Sequence, residues 1–407
     1  MPDSSPAPLH TKAGIACLMV MTAVATVFMT QSIFLEISQA FHMDISKARF
    51  AFSGASLCYA AAFFVIGPLA DRFDLPRMAL MGLGALLAAI LFASTAPGFT
   101  TFVIAMGLIG FSAALVPASM IPHMTRLAPP DKRGLYVGAV VASGTLGIVF
   151  GRVAVGLLTA HLGWRVAFRI VALFLLILSA AGYARLLEPA PKEKRPGYPL
   201  WDLYLNAVRL VCRPRPLALL ATGFFLFFGF LGMVTFLTYR LTAPPFLFTA
   251  GEVGWISLAG LTALIAPFAG SLSQKAGPYR ISLPGLGICL VAMQLMGWSQ
   301  SVPLITLGLL LLFAGAYCCQ PLIFLLIGAS VPDSALGSAS SLYILVCIGG
   351  GSLSSMVLGP VWAHWGWTGV TVACSLSLAA AAGVLGTLAS REPHHGKDAE
   401  TVPLPLK

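Results

Sequence analysis

The sequence predicts an all-α membrane protein of twelve transmembrane helices arranged as two pseudo-symmetric six-helix bundles, and three observations predict it. Of 407 residues, 58% are hydrophobic and only 9% charged, where an ordinary soluble domain carries about a quarter charged residues. The charge-free runs Ile281 to Pro332 and Ser334 to Ser390 are 52 and 57 residues long, and one helix needs about 20 to cross a bilayer, so each run holds at least two crossings. Finally, the chain repeats itself without gaps at an offset of 203 residues, which aligns Gly67-Pro-Leu-Ala-Asp-Arg-Phe-Asp-Leu-Pro-Arg77 with Gly270-Ser-Leu-Ser-Gln-Lys-Ala-Gly-Pro-Tyr-Arg280 and His161-Leu-Gly-Trp-Arg165 with His364-Trp-Gly-Trp-Thr368.

Each crossing is a helix, because lipid offers no partner to backbone N–H and C=O groups. Cutting the apolar runs at their Gly, Pro and charge punctuation gives a first half with spans at 13–35, 49–70, 78–95, 100–122, 135–160 and 165–187. The second half has spans at 216–240, 253–273, 281–299, 302–327, 338–360 and 366–390. The first run, Ala13 to Phe34, is longer than the apolar region of a signal peptide, and Gln31 stands near where a small-residue cleavage site would be wanted, so it is read as a span.

Residues 1–187 form the N-terminal half, 188–215 a linker, 216–390 the C-terminal half and 391–407 a tail. The linker holds Pro189, Pro191, Pro196, Pro199 and Pro214 among its charges. Within it Leu200 to Val211 has helical apolar spacing, with Trp201 and Tyr204, suited to a short helix lying on the membrane face. The loops on one side collect 18 Lys and Arg and those on the other side 5, with Arg152 left inside a span. By the positive-inside rule the rich side, including both termini, faces the cytoplasm.

The net charge of +10 sits in these short loops rather than on a nucleic-acid face. All cysteines except Cys212 fall in apolar segments, so no disulfide framework is implied. There is no phosphate-binding Gly-Lys-Ser/Thr loop, no His-Glu-x-x-His and no pair of carboxylates inside a span, so neither an enzyme nor a metal or other cofactor is expected.

The loop after the second span, Gly67-x-Leu69-x-Asp71-Arg72 with Arg77 beyond, resembles the motif between helices two and three of the major facilitator superfamily. In that family this cluster serves as a conformational latch, and the resemblance implies the same of Gly67, Asp71, Arg72 and Arg77 and of their repeat counterparts Gly270, Lys275 and Arg280. In physical terms, Gly67 permits close helix approach and Asp71 can pair with arginines or cap a neighbouring helix. Gln274 stands where Asp71's counterpart would be, so an acidic latch would be one-sided.

The fifth span carries Gly144, Gly147, Gly151 and Gly156 at spacings that let another helix come close. They resemble the glycine-rich fifth helix of exporters in this superfamily, although Arg152 takes the place of the proline usual there. The block Gly337 to Gly351 and the two His-x-Gly-Trp turns also look like bacterial drug and metabolite exporters of the acriflavine-sensitivity type.

The resemblance implies a secondary active transporter that exports a small molecule in exchange for protons, a monomer in the lipid bilayer working by alternating access. Against protons, the Asp and Glu residues all lie in loops, tails or span ends. Arg152 inside a span either faces a cavity, or snorkels outward or pairs with Glu36. Facing a cavity it would suit a small organic anion, which leaves an uptake facilitator or symporter as the alternative function. The candidate substrate contacts are Gln31, Arg152, Tyr239, Gln320 and Tyr343. Phe224, Phe225, Phe227, Phe228 and Phe230 run all round the seventh span, which suits lipid at least as well as a pocket.

Overall fold

A computed structural model describes residues 8–43, 45–187, 205, 209, 213–248, 255–332 and 335–391. The first half comprises α1 (Leu9–Phe28, ending in a 3-10 turn over Met29–Ser32), α2 (Ile45–Arg72), α3 (Leu75–Ser94), α4 (Phe99–Leu127), α5 (Arg133–Leu162) and α6 (Trp164–Leu186). A short helix, Phe34–Ala40, joins α1 to α2. The second half comprises α7 (Pro214–Thr242), α8 (Ile265–Ala276, preceded by a 3-10 segment Trp255–Leu264), α9 (Pro278–Trp298) and α10 (Val302–Ala329). It ends in a helical run, Leu336–Ser390, that breaks at Gly366 and so supplies two crossings, α11 (336–365) and α12 (367–390).

Ten helices are long and apolar enough to cross a membrane among the described residues. Division of the last of these at Gly366 and addition of the mixed 3-10 and α segment 255–276 bring the crossings to twelve. The eighth span is the one that departs from regular helix, and it corresponds to the predicted 253–273. Most of the candidate linker helix, most of the tail and Cys212 lie outside the described residues.

The repeat reappears as geometry. Gly163 and Gly366, which the repeat pairs, both adopt positive φ, 79° and 57° respectively, at the turn into the last helix of each half. A side chain there would strain the backbone, so both His-x-Gly-Trp turns need the glycine. At the other repeated loop Asp74 caps α3, accepting from the Arg77 N–H at 3.0 Å, while its counterpart Gly277 turns at φ 90° into α9.

Within the first half α1 packs on α5, α2 and α3 on α4, and α3 on α6; the second half repeats the scheme with α7 on α11 and α12 and α9 on α10. Large apolar side chains cover the outside, among them Leu57, Met81, Phe268 and Met356, all at least 71% exposed. In water such a surface would drive aggregation, but against acyl chains it costs nothing. Between the halves the contacts run through α2 with α11 and α5 with α8 and α10.

Candidate functional site

A cavity of about 500 Å³ lies between the halves, lined from both by α1, α2, α4, α5, α7, α10 and α11 and by Gly260 of the 3-10 segment. Its wall follows from helical periodicity. Thr145, Ile148, Val149 and Arg152 form one face of α5, Phe313, Tyr317, Gln320 and Phe324 one face of α10, and Phe227, Phe230, Leu231, Val234 and Thr235 one face of α7. Arg152 is the one charged side chain on this wall among the described residues, with its guanidinium carbon 5.9 Å from the Phe28 ring centre. The Gln320 Oε1 is buried without a hydrogen-bond partner.

Below the cavity, at the end bearing the arginine-rich loops, two contacts related by the repeat join the halves. Asp71 at the end of α2 is buried, its side chain only 2% exposed. Its carboxylate accepts from the Gly337 N–H at 2.6 Å and from the Ser338 N–H at 2.9 Å and hydroxyl at 2.6 Å, capping α11 across the interface. An Arg126 guanidinium nitrogen lies 3.7 Å away. A carboxylate at a helix N-terminus meets both unsatisfied N–H groups and the positive end of the helix dipole.

The second contact joins α8 to α5. With its amide assigned in the orientation that satisfies both neighbours, Gln274, the repeat counterpart of Asp71, accepts from the N–H of Gly134 at 3.1 Å and donates to the Pro130 carbonyl at 2.7 Å. Gly134 is in turn the repeat counterpart of Gly337. The acid is therefore on one side only, but a contact is present on both, because a glutamine amide accepts from the repeat-equivalent N–H as the carboxylate does.

The glycines beside these contacts let the backbones come close. A Cβ at Gly67 would come within 2.7 Å of the Ser341 Cβ, and one at Gly134 or Gly270 would run into the backbone of the other. Arg72, Arg77, Lys275 and Arg280 stand exposed on the loop face around these contacts.

Of the candidate substrate contacts, Arg152 and Gln320 line the cavity. Gln31 sits in the 3-10 turn at the end of α1, outside the lining. Tyr239 is 55% exposed and lies against Phe236 and Trp362 at ring-centre distances of 5.4 and 6.3 Å, the position of an interfacial aromatic. Tyr343 is fully buried edge-on to Phe324, behind the wall. Arg240, at the end of α7, donates to the Met296 carbonyl and, at 2.6 Å, to that of Ser299, which ties α7 to α9.

Of the α5 glycines, Gly147 and Gly151 meet the α1 backbone at Met21 and Ala25, whereas Gly144 and Gly156 leave ordinary side-chain contact distances. The seventh-span phenylalanines divide: Phe227 and Phe230 reach the cavity and Phe224, Phe225 and Phe228 do not line it. The sequence reading missed Ser56, Tyr59, Thr145 and Tyr317 on the wall; the signal for the last two was their helical register with Arg152 and Gln320.

Residues 16–343 match the profile of the Major Facilitator Superfamily. The inner membrane transport protein YnfM of Escherichia coli K12 is 29% identical over 382 residues, which cover 92% of this chain and 89% of that protein. The putative uncharacterized transporter YgaY of the same organism is 28% identical over 363 residues, 86% of this chain and 89% of YgaY. Among solved structures, a bacterial homologue of the iron transporter ferroportin in an outward-facing state superposes with a TM-score of 0.74 at 15% identity, covering 93% of this chain and all of that one. Likeness at that identity is one of fold.

Proposed function

The chain belongs to the major facilitator superfamily, a family of membrane transporters, and from that premise we propose that it exports a small molecule across a bacterial inner membrane by alternating access. The observation that carries the proposal is the cavity between the halves, walled by both and bridged at the loop-bearing end, among the described residues, by side chains reaching from each half to the other. A site held between two repeats opens to alternate sides as they rock, here residues 1–187 against 216–407.

The loop face, which carries 18 of the 24 Lys and Arg residues, is assigned to the cytoplasm with both termini. With that orientation the bridged end is the inner one, and the conformation described is the one that discharges to the outside. Proton exchange, which the resemblance implies, finds no Asp or Glu on the cavity wall among the described residues. Within the described spans the acidic side chain is Asp71, and the inner contact engages it. The proposal is therefore export itself, without a proton relay assigned to these residues.

The test is transport by the purified protein in proteoliposomes, with labelled cations, neutral compounds and carboxylates offered from each side. Saturable movement of one class, with exchange across the membrane when unlabelled compound is trapped on the far side, is the expected result. Movement no faster than in protein-free vesicles for every class, or concentrative movement only toward the loop face, would overturn the proposal.

A further inference from the structure

A second cavity, of about 510 Å³, lies on the loop face and is also walled by both halves. It reaches from Arg126 and Leu336, beside the Asp71 contact, to Gln274 of the other contact. Helix starts and helix ends meet there in equal number: α5, α9 and α11 begin on its wall, and α4, α8 and α10 end on it. The helix dipoles therefore offset one another, and side chains set the sign of the cavity. Its charged side chains are Arg126 and Arg133, with no Asp or Glu on the wall among the described residues.

The other donors on this wall are committed. The Thr125 hydroxyl donates to the Ile121 carbonyl at 2.8 Å, the Ser273 hydroxyl to that of Gly270 at 2.7 Å, and the Gln274 amide to that of Pro130. Arg126 lies 3.7 Å from the Asp71 carboxylate. Arg133 differs from all of these. Its Nε is buried without a hydrogen-bond partner, and no ion pair to it is present among the described residues. A buried guanidinium N–H left unmet is costly, and it calls for an acceptor oxygen bearing negative charge.

We propose that this cavity binds a phosphate group, held by Arg133 with Arg126 at its flank, and that occupancy holds the inner face closed. The binding site stands on the cavity alone, whereas its effect on the inner face rests on the alternating-access reading above. A guanidinium fork matches phosphate and carboxylate alike, but a phosphate ester brings more charge and three acceptor oxygens to a wall with two arginines. The volume leaves room for the ester's body against Leu325 and Leu326. Basic pockets between spans on the cytoplasmic side receive anionic head groups, so the phosphate can come from a lipid or from a soluble ester. Because both halves supply the wall, opening the inner face takes the site apart. A ligand confined to the closed state raises the closed-to-open ratio about 11-fold at ten times its Kd.

Binding to the purified full chain is measured by isothermal titration with glycerol 3-phosphate, glycerol and acetate. For the lipid source, phosphatidylglycerol retained by the protein is counted by native mass spectrometry. The expected result is binding of glycerol 3-phosphate above acetate and none of glycerol, or retention of phosphatidylglycerol, the first identifying a soluble source and the second a lipid one. Arg133→Gln should weaken either by about 10- to 100-fold, and Arg133→Lys should recover part of the loss, which controls for misfolding. Ala329→Trp, at an exposed position on the wall, should weaken binding by filling the cavity with no charge removed. The inner face is read by spin labels at Leu127→Cys and Leu272→Cys in Gly67→Ala, whose Cβ would come within 2.7 Å of the Ser341 Cβ and which alters no residue of this wall. The short-distance fraction should rise with glycerol 3-phosphate in phosphatidylcholine nanodiscs, or with phosphatidylglycerol in the nanodisc alone. Neither ligand binding, binding indifferent to Arg133→Gln and Ala329→Trp, or acetate binding as tightly as the ester would overturn the phosphate site. Arg133-dependent binding with an unchanged distance distribution would overturn the hold on the inner face and leave the site. Arg133-dependent binding in a protein that moves no compound in the transport test would overturn export and leave the site.

Discussion

Replacing Asp71 by alanine removes one group on which the closed inner face is expected to depend. The carboxylate accepts three hydrogen bonds from Gly337 and Ser338 across the halves and lies 3.7 Å from an Arg126 nitrogen. Hydrogen bonds to a charged group contribute roughly 1.5–3 kcal/mol each, but three on one group are not additive, and the carboxylate's own burial opposes them. Ser338 and Gly337 regain water once the face opens, so the loss falls on the closed state alone. A net shift of about 2–4 kcal/mol is reasonable, equivalent to roughly 30- to 700-fold in the closed-to-open ratio. Spin labels at Leu127→Cys in the first half and Leu272→Cys in the second, both on exposed positions near the loop face, read that ratio as a distance distribution in a background without the eight native cysteines. The parent should show a dominant short distance and Asp71→Ala a dominant longer one. An unchanged distribution in a folded variant would refute the assignment of Asp71 as a lock.

Gly134→Ala should open the same face without touching any charge, because its Cβ would run into the Gly270 backbone; the same spin-label pair reports it. Gln274→Ala should open it less than Asp71→Ala, since neutral hydrogen bonds are each worth about 1 kcal/mol. On α5, Gly147→Ala should lower thermal stability by about 1–3 kcal/mol through overpacking against α1, while Gly156→Ala, with its nearest neighbour at 3.5 Å, should fold normally; thermal unfolding in detergent distinguishes them. Arg240→Met should also destabilise, by about 1–3 kcal/mol, as the Met296 and Ser299 carbonyls lose a charged donor, and should leave substrate affinity unaltered.

Much of the fold was legible because its determinants are one-dimensional. A bilayer fixes helix length, so apolar runs read directly as crossings, and the constant repeat offset carried the symmetry down to the paired glycines Gly163 and Gly366. What escaped was local: the 3-10 segment Trp255–Leu264 is as apolar as a helix, and composition does not distinguish the two windings. At the site, Arg152 was legible because a charge inside a span is costly and demands a reason. The tyrosines were not, because nothing in the sequence says which way a tyrosine faces. Tyr239 sits at the lipid rim, Tyr343 behind the wall and Tyr317 on it, and only the register of Phe313, Tyr317, Gln320 and Phe324 along α10 separates the last from the others. Gln274 reads in the sequence only as a missing acid, and that its amide can serve the Gly134 N–H became visible only in the packing of α8 on α5.

The central claim is that one cavity between the halves opens to a single side at a time, closed in this conformation at the arginine-rich face. Thr235 lines that cavity, so Thr235→Cys in the background without native cysteines can be labelled with a membrane-impermeant maleimide in right-side-out and in inverted vesicles. The account predicts rapid labelling from the outside and slow labelling from the loop side, with the preference reversed by Asp71→Ala. Equal labelling from both sides in the parent, or faster labelling from the loop side, would contradict it.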